Sequence, residues 1–133
     1  MNKVALAALI TLIGGVTAAA HHSLSGIYDT GTSVSFEGVI REFHFVNPHP
    51  YLTVEVRPNG RTQRWKMELD NRGELAAIGM TDITFKIGDQ ITVSGNPGLA
   101  GARVLYVRKL ERLKDRFWYE QDDTTPSMGF SKP

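Results

Sequence analysis

The chain contains no cysteine among its 133 residues, and this absence excludes disulfide bonds, a lipid-attachment cysteine and a CxxC redox pair. An excess of charge of one sign is also absent, since 15 Lys and Arg stand against 14 Asp and Glu. Nucleic-acid binders owe much of their affinity to Lys and Arg that neutralise phosphates. The near-neutral charge therefore predicts that nucleic acid is not a partner. The sequence has no nucleophile elbow and no phosphate loop.

The one long uncharged stretch runs from Val4 to Ala20 and follows the positive Lys3. Ala18 and Ala20 place small residues at the −3 and −1 positions that signal peptidase requires, so residues 1–20 are predicted to be a cleaved secretory signal peptide. The alternative is an uncleaved membrane anchor, but 17 residues rich in Ala and Gly are short for crossing a bilayer. We therefore expect a periplasmic or secreted protein that makes no membrane contact once the signal is removed.

The rest of the chain has the composition of one small globular domain. Without Lys3, which lies in the predicted signal, it carries 14 basic and 14 acidic residues and is formally neutral. Apolar residues make up 41% of the whole sequence and charged residues 22%, as in folded proteins rather than disordered ones. A chain of this size supports a single core, and we predict one domain over residues 21–114.

Five segments have the alternation or the β-branched and aromatic residues of strands. The first is long and is expected to bend at Gly38, because a glycine inside a strand often marks a bulge. Pro58-Asn59-Gly60 predicts a hairpin turn between the second and third strands. After the third strand, Asn71 and Glu74 have the spacing of a capping box, and Gly79 stands where a short helix would end. The predicted strands are residues 33–46, 51–56, 62–69, 90–95 and 102–110.

This order of elements predicts a mainly β fold: a small five-stranded OB-like barrel with one short helix between strands 3 and 4. In such a barrel the ligand face gathers around the loops between strands 1 and 2 and between strands 4 and 5, here residues 47–50 and 96–101. Residues 115–133 turn polar, lack periodicity and are predicted to form a disordered tail. The alternative for the aromatic triplet Phe117-Trp118-Tyr119 in this tail is that it docks on the barrel.

Two of the four histidines directly follow the predicted cleavage site. Cleavage after Ala20 would make His21 the first residue, so that its amine and its imidazole could chelate one metal ion, with His22 beside it. Cleavage one residue earlier would place His22 third, an arrangement that wraps Cu(II) or Ni(II) in four nitrogens. Both outcomes favour copper, because nitrogen ligands in a flat arrangement suit Cu(II), which also heads the affinity order of the divalent metals.

The other two histidines are candidates to complete this metal site. His49 lies in the loop between strands 1 and 2, where two flanking prolines reduce the entropy lost on ligation. His44 ends the first strand on the same face as Glu42, which would orient its ring, and Asn47 is assigned a similar supporting role. The alternatives are flexible terminal histidines, a surface turn residue at 49 and a hydrogen-bonded strand residue at 44. The predicted metal ligands are His21, His22, His49 and His44.

Other residues offer weaker candidates. Glu68 and Asp70 share a strand face and could act as paired carboxylates. We favour a structural role instead, with Asp70 capping the helix and Glu68 solvated or paired with Arg64. Tyr51 and Trp65 are candidates for an aromatic ligand face on strands 2 and 3, although packing is the commoner fate of such residues. A group of basic residues near the end of the barrel is offset by acidic neighbours and is predicted to be solvated. Its members are Arg103, Arg108, Lys109, Arg112, Lys114 and Arg116.

A set of short motifs occurs in a fixed order along the chain. These are His21-His22-Ser23, Tyr28-Asp29, Phe36-Glu37-Gly38-Val39, Asn47-Pro48-His49, Trp65-Lys66-Met67-Glu68, Lys86-Ile87-Gly88-Asp89 and Val93-Ser94-Gly95-Asn96-Pro97. The set resembles a family of small exported bacterial proteins of unknown function, with an HHS mature start and an NPH motif. The resemblance covers about residues 21–110 and implies a periplasmic setting and a compact β-rich domain.

The resemblance carries over residue by residue only at the two His-containing motifs. The matching positions are His21, His22, Asn47, Pro48 and His49. The sequence departs from the family at Phe45 and Met80, where tryptophan is usual. These departures weaken the case for an aromatic binding surface more than the case for a metal site. The resemblance implies no activity.

Three functions remain open at this point. The leading one is a periplasmic binding module that holds a metal ion, with copper favoured, for storage, delivery or sensing. The second is a metal-independent OB-type module that binds a small ligand or a periplasmic protein through the two loops. The third is an enzyme with a histidine-chelated copper centre that acts on oxygen or peroxide. We disfavour the enzyme and assign no catalytic residue, because the sequence ties no acid and no tyrosine to the site.

Overall fold

The computed structural model describes residues 24–132. The predicted signal peptide and the predicted ligands His21 and His22 lie outside these residues. The strands are β1 (Val34–His44), β2 (Tyr51–Val56), β3 (Gln63–Glu68), β4 (Gln90–Pro97), β5 (Val104–Arg112), β6 (Phe117–Glu120) and β7 (Ser127–Phe130). The described part of the chain also contains the α-helix α1 (Arg72–Ala77) and 3-10 turns at Leu24–Gly26, Pro58–Gly60 and Leu99–Gly101.

The strands form one sheet in the order β3-β2-β1-β4-β5-β6-β7. Neighbours in this order run antiparallel. A second pairing joins β3 to β5 in parallel, with Lys66–Glu68 opposite Val104–Tyr106. This pairing closes β1 to β5 into a barrel, and α1 lies between β3 and β4 in the chain. The prediction of a mainly β, five-stranded OB-like barrel with one short helix is confirmed.

The core follows from the two-residue period of the strands. In β2, Leu52, Val54 and Val56 are buried and alternate with half-buried polar or aromatic side chains. Met67 opposes Leu52 on β3 and is also buried. The short helix packs on this core through Leu75, which is fully buried. Burial of this apolar surface is the main favourable term in the stability of the barrel.

Strand β1 is irregular, but not at the glycine that the sequence pointed to. Its register against β2 shifts between Ile40 and Glu42. At Gly38 an added Cβ would lie 2.6 Å from Cγ1 of Val54 and 2.7 Å from the carbonyl oxygen of Glu55. The predicted bend at Gly38 is therefore misplaced, because this glycine serves the close approach of β2 instead.

The segment after the barrel is ordered by two further strands. β6 pairs with the end of β5, and β7 pairs with β6. Phe117 and Tyr119 on β6 are 2% and 0% exposed and belong to the core. The prediction of a disordered tail is therefore wrong over residues 117–130. Docking of the aromatic triplet, the alternative drawn from the sequence, is the arrangement found.

One of the basic residues predicted to be solvated is buried in an ion-pair network. The Arg112 side chain is 8% exposed and makes two hydrogen bonds to Asp115, at 2.9 and 2.8 Å. It also donates to Oδ2 of the buried Asp89 at 3.1 Å, and Lys114 reaches the other oxygen at 2.5 Å. The Arg112 guanidinium lies 5.0 Å from the Phe117 ring centroid. Its buried partner Asp89 lies 23 residues earlier in the chain, so the local sequence pattern did not reveal its burial.

Candidate functional site

A cleft of about 700 Å³ opens on the side of the barrel where β3 ends. Its walls come from five parts of the chain: the segment 24–28, the loop between β1 and β2, the stretch from Glu68 to α1, the start of β5, and residues 121–125. The cleft therefore lies beside one of the two loops expected to form the ligand face. The loop between β4 and β5 does not line it.

The loop between β4 and β5 has a different role, because it holds the segment 24–28 in place. Tyr28 and Gly98 form an isolated antiparallel bridge. The backbone N–H of Leu99 donates to the carbonyl of Ile27 at 2.9 Å, and the N–H of Asp29 donates to the carbonyl of Pro97 at 2.8 Å. This segment thus forms one wall of the cleft with its backbone tied to the barrel.

Tyr28 reaches from this segment to the end of β3. Its hydroxyl donates a hydrogen bond of 3.1 Å to Oε2 of Glu68. Its ring lies 5.7 Å from the ring of Tyr106, which also lines the cleft. Burial raises the pKa of Tyr28, and the negative charge of Glu68 raises it further, so the phenol is a hydrogen-bond donor at neutral pH. The expected partner of Glu68, Arg64, is replaced by this tyrosine.

The cleft floor is fixed by hydrogen bonds around Asp70. Oδ1 accepts from the N–H of Asn71 at 2.7 Å, and Oδ2 accepts from Nε2 of Gln121. The hydroxyl of the buried Tyr119 accepts from the N–H of Asp70 at 3.3 Å. The residue that caps α1 is Asn71, whose side chain accepts from the N–H of Gly73 at 2.8 Å. The prediction that Asp70 caps the helix is therefore wrong.

The charge of the cleft is negative. Four carboxylates line it, and no lysine or arginine is among the lining residues of the described chain. One of the four, Asp123, is paired with Arg108 at 2.6 Å. Glu68, Asp70 and Glu74 have no ion-pair partner within residues 24–132. Such a cleft favours a positively charged occupant.

Two polar atoms of the cleft residues are buried without a partner. Within the described part of the chain, Nδ1 of His49 and Oε1 of Gln121 are the buried side-chain nitrogen and oxygen atoms that make no hydrogen bond. A buried polar group without a partner is uncommon, and it costs about 1–3 kcal/mol. Both residues are among those that line the cleft.

His44 lies outside this cleft. Its Nε2 is 3.1 Å from Oε2 of Glu42, so the contact predicted between these residues is present. Its ring is stacked on Tyr51 at 4.6 Å between centroids. The hydrogen bond from His44 and then that from Thr53 lower the pKa of Glu42. Among residues 24–132, no group of three or more His, Asp or Glu is arranged to hold a metal ion.

The predicted aromatic ligand face is wrong. Tyr51 opposes Glu68 in the pairing of β2 with β3, whereas Trp65 opposes the buried Val54. Because side chains alternate along a strand, the two rings lie on opposite faces of the sheet. Trp65 packs on the core, 4.6 Å from the ring of Phe36. Asn47 is exposed and does not line the cleft.

Comparison with known proteins finds a match between the sequence and one family model. A family described as one of unknown function, DUF6152, matches residues 9–105, and the resemblance to a family of unknown function is confirmed. The crystal structure of the mitochondrial single-stranded DNA-binding protein Rim1 from S. cerevisiae is similar, with 17% identity and a TM-score of 0.48 over 62% of this chain and 93% of that chain. No curated protein matches. Our expectation that nucleic acid is not a partner stays a prediction.

The fold and the family are consistent with a binding role. An OB-like barrel with an open cleft, in a family of unknown function, fits a module that binds a ligand or a partner. Among the described residues, none of the helices is long and apolar enough to cross a bilayer. Tyr28, Tyr106 and Gln121 are cleft residues that the sequence did not reveal, since their positions depend on contacts between distant segments.

Proposed function

The chain belongs to DUF6152, a family of unknown function, and we propose from its own residues that it is an exported periplasmic module that holds a metal ion. Copper is the metal that the ligands favour. His49 supplies one ligand, and His21 and His22 supply the others. The observation that carries this proposal is the buried Nδ1 of His49, which has no partner within the described residues. His49 lines a cleft that no lysine or arginine of the described chain lines.

An imidazole nitrogen that carries no proton is a good ligand for copper. When the same nitrogen is buried without a hydrogen-bond partner or a metal ion, its lost hydration lowers the stability of the folded protein. Coordination of a metal ion removes this penalty, and the carboxylates of the cleft attract the cation electrostatically. The position of His49 beside these carboxylates therefore supports a cation as the occupant.

The N-terminal histidines are close to the cleft along the chain. Leu24 lines the cleft and is held by the turn that ends at Tyr28. His22 is two residues before Leu24, and two peptide units reach at most about 8 Å. This short reach supports His21 and His22 as partners of His49.

Part of the ligand set must come from outside residues 24–132, because no metal-holding group of three exists within them. A signal peptide cleaved after Ala20 would supply it, as the new amine and the imidazole of His21 form a chelate. An all-nitrogen set of this kind favours copper over harder metals. The signal-peptide pattern of residues 1–20, a positive start followed by an uncharged stretch and small residues, supports export to the periplasm.

The test is a Cu(II) competition titration on protein that a bacterial host has exported and processed, with its intact mass recorded. We expect a mass that begins at His21 and one equivalent of copper, bound at least about tenfold more tightly than by a free His-His-Ser peptide. His49→Ala should lower the affinity to that of the peptide. A mass that begins elsewhere, or an unchanged affinity in His49→Ala, contradicts the proposed ligand set.

His44→Ala is the matched control. It removes an imidazole that is bound to Glu42 and Tyr51 and lies outside the cleft. We expect this variant to bind copper like the unaltered protein. An equal loss of affinity in both variants would point to unspecific binding by histidine and would contradict a site built around His49.

A further inference from the structure

Gln121 is a buried residue, and only the nitrogen of its side-chain amide has a hydrogen-bond partner among the described residues. It is 5% exposed and lines the cleft. Its Nε2 donates to Oδ2 of Asp70, which fixes which end of the amide faces the carboxylate. Its Oε1 makes no hydrogen bond within the described residues. The cleft therefore holds an oriented, buried acceptor that lacks a donor.

The neighbouring groups are also acceptors. Glu68 uses Oε2 to accept from Tyr28 and keeps Oε1 for another donor. Asp70 and Glu74 add two carboxylates without an ion-pair partner in residues 24–132, and no lysine or arginine of this part of the chain lines the cleft. An ammonium group has three donors and no acceptor, which complements this set of acceptors.

Without ligands from outside residues 24–132, these acceptors suit an organic cation better than a bare ion. No three acidic or histidine side chains of the described chain converge closely enough for a metal, whereas ammonium groups on one flexible molecule can reach acceptors that are spaced apart. The cleft volume of about 700 Å³ lies in the range of small-molecule sites. Leu24 and Ile27 provide apolar wall for a chain of methylene groups.

We propose that this cleft binds a small aliphatic polyamine. One ammonium group donates hydrogen bonds to Oε1 of Gln121 and to the carboxylates of Asp70 and Glu68. A second ammonium group lies near Glu74, at the start of α1. This binding does not require His49 or a metal ion, so it goes beyond the proposed function.

The test is calorimetric titration of the processed, EDTA-treated protein with spermidine. We expect one equivalent to bind, with an affinity that falls as salt screens the carboxylates. Glu68→Gln keeps the size of the side chain and an acceptor for Tyr28 but removes the charge. This variant should lower the affinity for spermidine by about tenfold or more. Gln121→Met removes the unpaired acceptor and should also lower the affinity for spermidine.

Glu37→Gln is the matched control, because Glu37 is exposed on β1, does not line the cleft and undergoes the same change of charge. Its affinity for spermidine should be unchanged. Absence of binding at about 1 mM spermidine, or an equal loss in Glu37→Gln and Glu68→Gln, would overturn the proposal. Thermal melting of each variant confirms that it is folded.

Repeating the spermidine titration on His49→Ala distinguishes the polyamine proposal from the metal proposal, since both concern the same cleft. We expect this variant to keep spermidine binding whether or not it binds copper. Loss of spermidine from a folded His49→Ala protein would overturn the assignment to Gln121, Asp70 and Glu68. A failed copper titration leaves this result unaffected, since the spermidine measurements contain no metal.

Discussion

The hydroxyl of Tyr28 donates a hydrogen bond to Oε2 of Glu68 and so joins a residue before β1 to the last residue of β3. Tyr28 is 3% exposed, and the loop after β4 holds its backbone through the bridge to Gly98. The orientation of Glu68 in the cleft thus depends on a segment outside the barrel strands.

Replacing Tyr28 by Phe should lower the free energy of unfolding by about 1–2 kcal/mol, because a hydrogen bond to a charged group is lost while the ring is kept. Tyr51→Phe is the control, since Tyr51 packs through its ring on His44, and we expect a change within about 0.5 kcal/mol. Urea denaturation at neutral pH measures both. Equal effects in the two variants would show that the Tyr28 hydroxyl contributes nothing of its own.

Buried tyrosines should make the fold sensitive to alkali. Burial is the largest cause of the raised pKa values of Tyr28, Tyr106 and Tyr119. A pKa raised in the folded state contributes stability below the unfolded value of about 10, and this stability is lost as the pH rises further. With 4 tyrosines in the chain, folded protein near pH 11 should show at most about a quarter of the phenolate absorbance of unfolded protein. Full absorbance from a folded chain would contradict this prediction.

Acid should destabilise the fold by protonating the buried carboxylate of Asp89. Burial alone raises the pKa of Asp89, but hydrogen bonds from Lys114, from the Lys86 amide and from Arg112 outweigh it, so the pKa is lowered. A lowered pKa contributes stability above the unfolded value of about 4, and this stability is lost as the pH falls through the folded value. We therefore expect the free energy of unfolding to fall steeply below about pH 4.

The variant Asp89→Asn tests this assignment. It leaves Arg112 buried without its full charge partner and should cost about 3–5 kcal/mol at neutral pH. It should also flatten the loss of stability in acid. Asp82→Asn makes the same change at an exposed position and should leave the pH profile as it is. A profile that is equally steep in Asp89→Asn would assign the acid sensitivity to other carboxylates.

Strand β6 should be part of the cooperative unit, although it is too short for a periodic pattern to predict it. Phe117→Ala opens a cavity at a residue that is 2% exposed, and we expect a loss of about 3–5 kcal/mol. Phe130→Ala on β7 changes a residue that is 64% exposed and should cost less than about 1 kcal/mol. Denaturant titration compares the two. Similar small effects would mean that β6 does not contribute to the core.

Local patterns were sufficient for the barrel strands. Alternation at Leu52, Val54 and Val56 predicts β2, and Asn59 and Gly60 have the positive φ values of 53° and 76° that their turn signal implies. β6 was missed because its four residues are too few to show a period. The bend in β1 was misplaced because a glycine within a strand is compatible both with a bulge and with the close approach of a neighbouring strand. The sequence alone does not distinguish these two causes.

The candidate site was less accessible to sequence reasoning. The two flanking prolines and the NPH motif are local features that pointed to His49, which lines the cleft, and its role as a metal ligand stays a prediction. Tyr28 and Gln121 were missed because each reaches the cleft through a contact with a residue far along the chain, Glu68 and Asp70 respectively. Partners of this kind are set by the closed barrel, and no spacing in the sequence encodes them.

The parallel pairing of β3 with β5 ends at Glu68 and Tyr106, and both residues line the cleft. The cleft therefore depends on closure of the barrel, and an unfolded chain, in which this seam is open, lacks the site. Any molecule that binds there selects the closed state, and its stabilisation of that state rises with the logarithm of its free concentration above Kd. The amide protons of the seam are the place where that stabilisation would slow hydrogen exchange first.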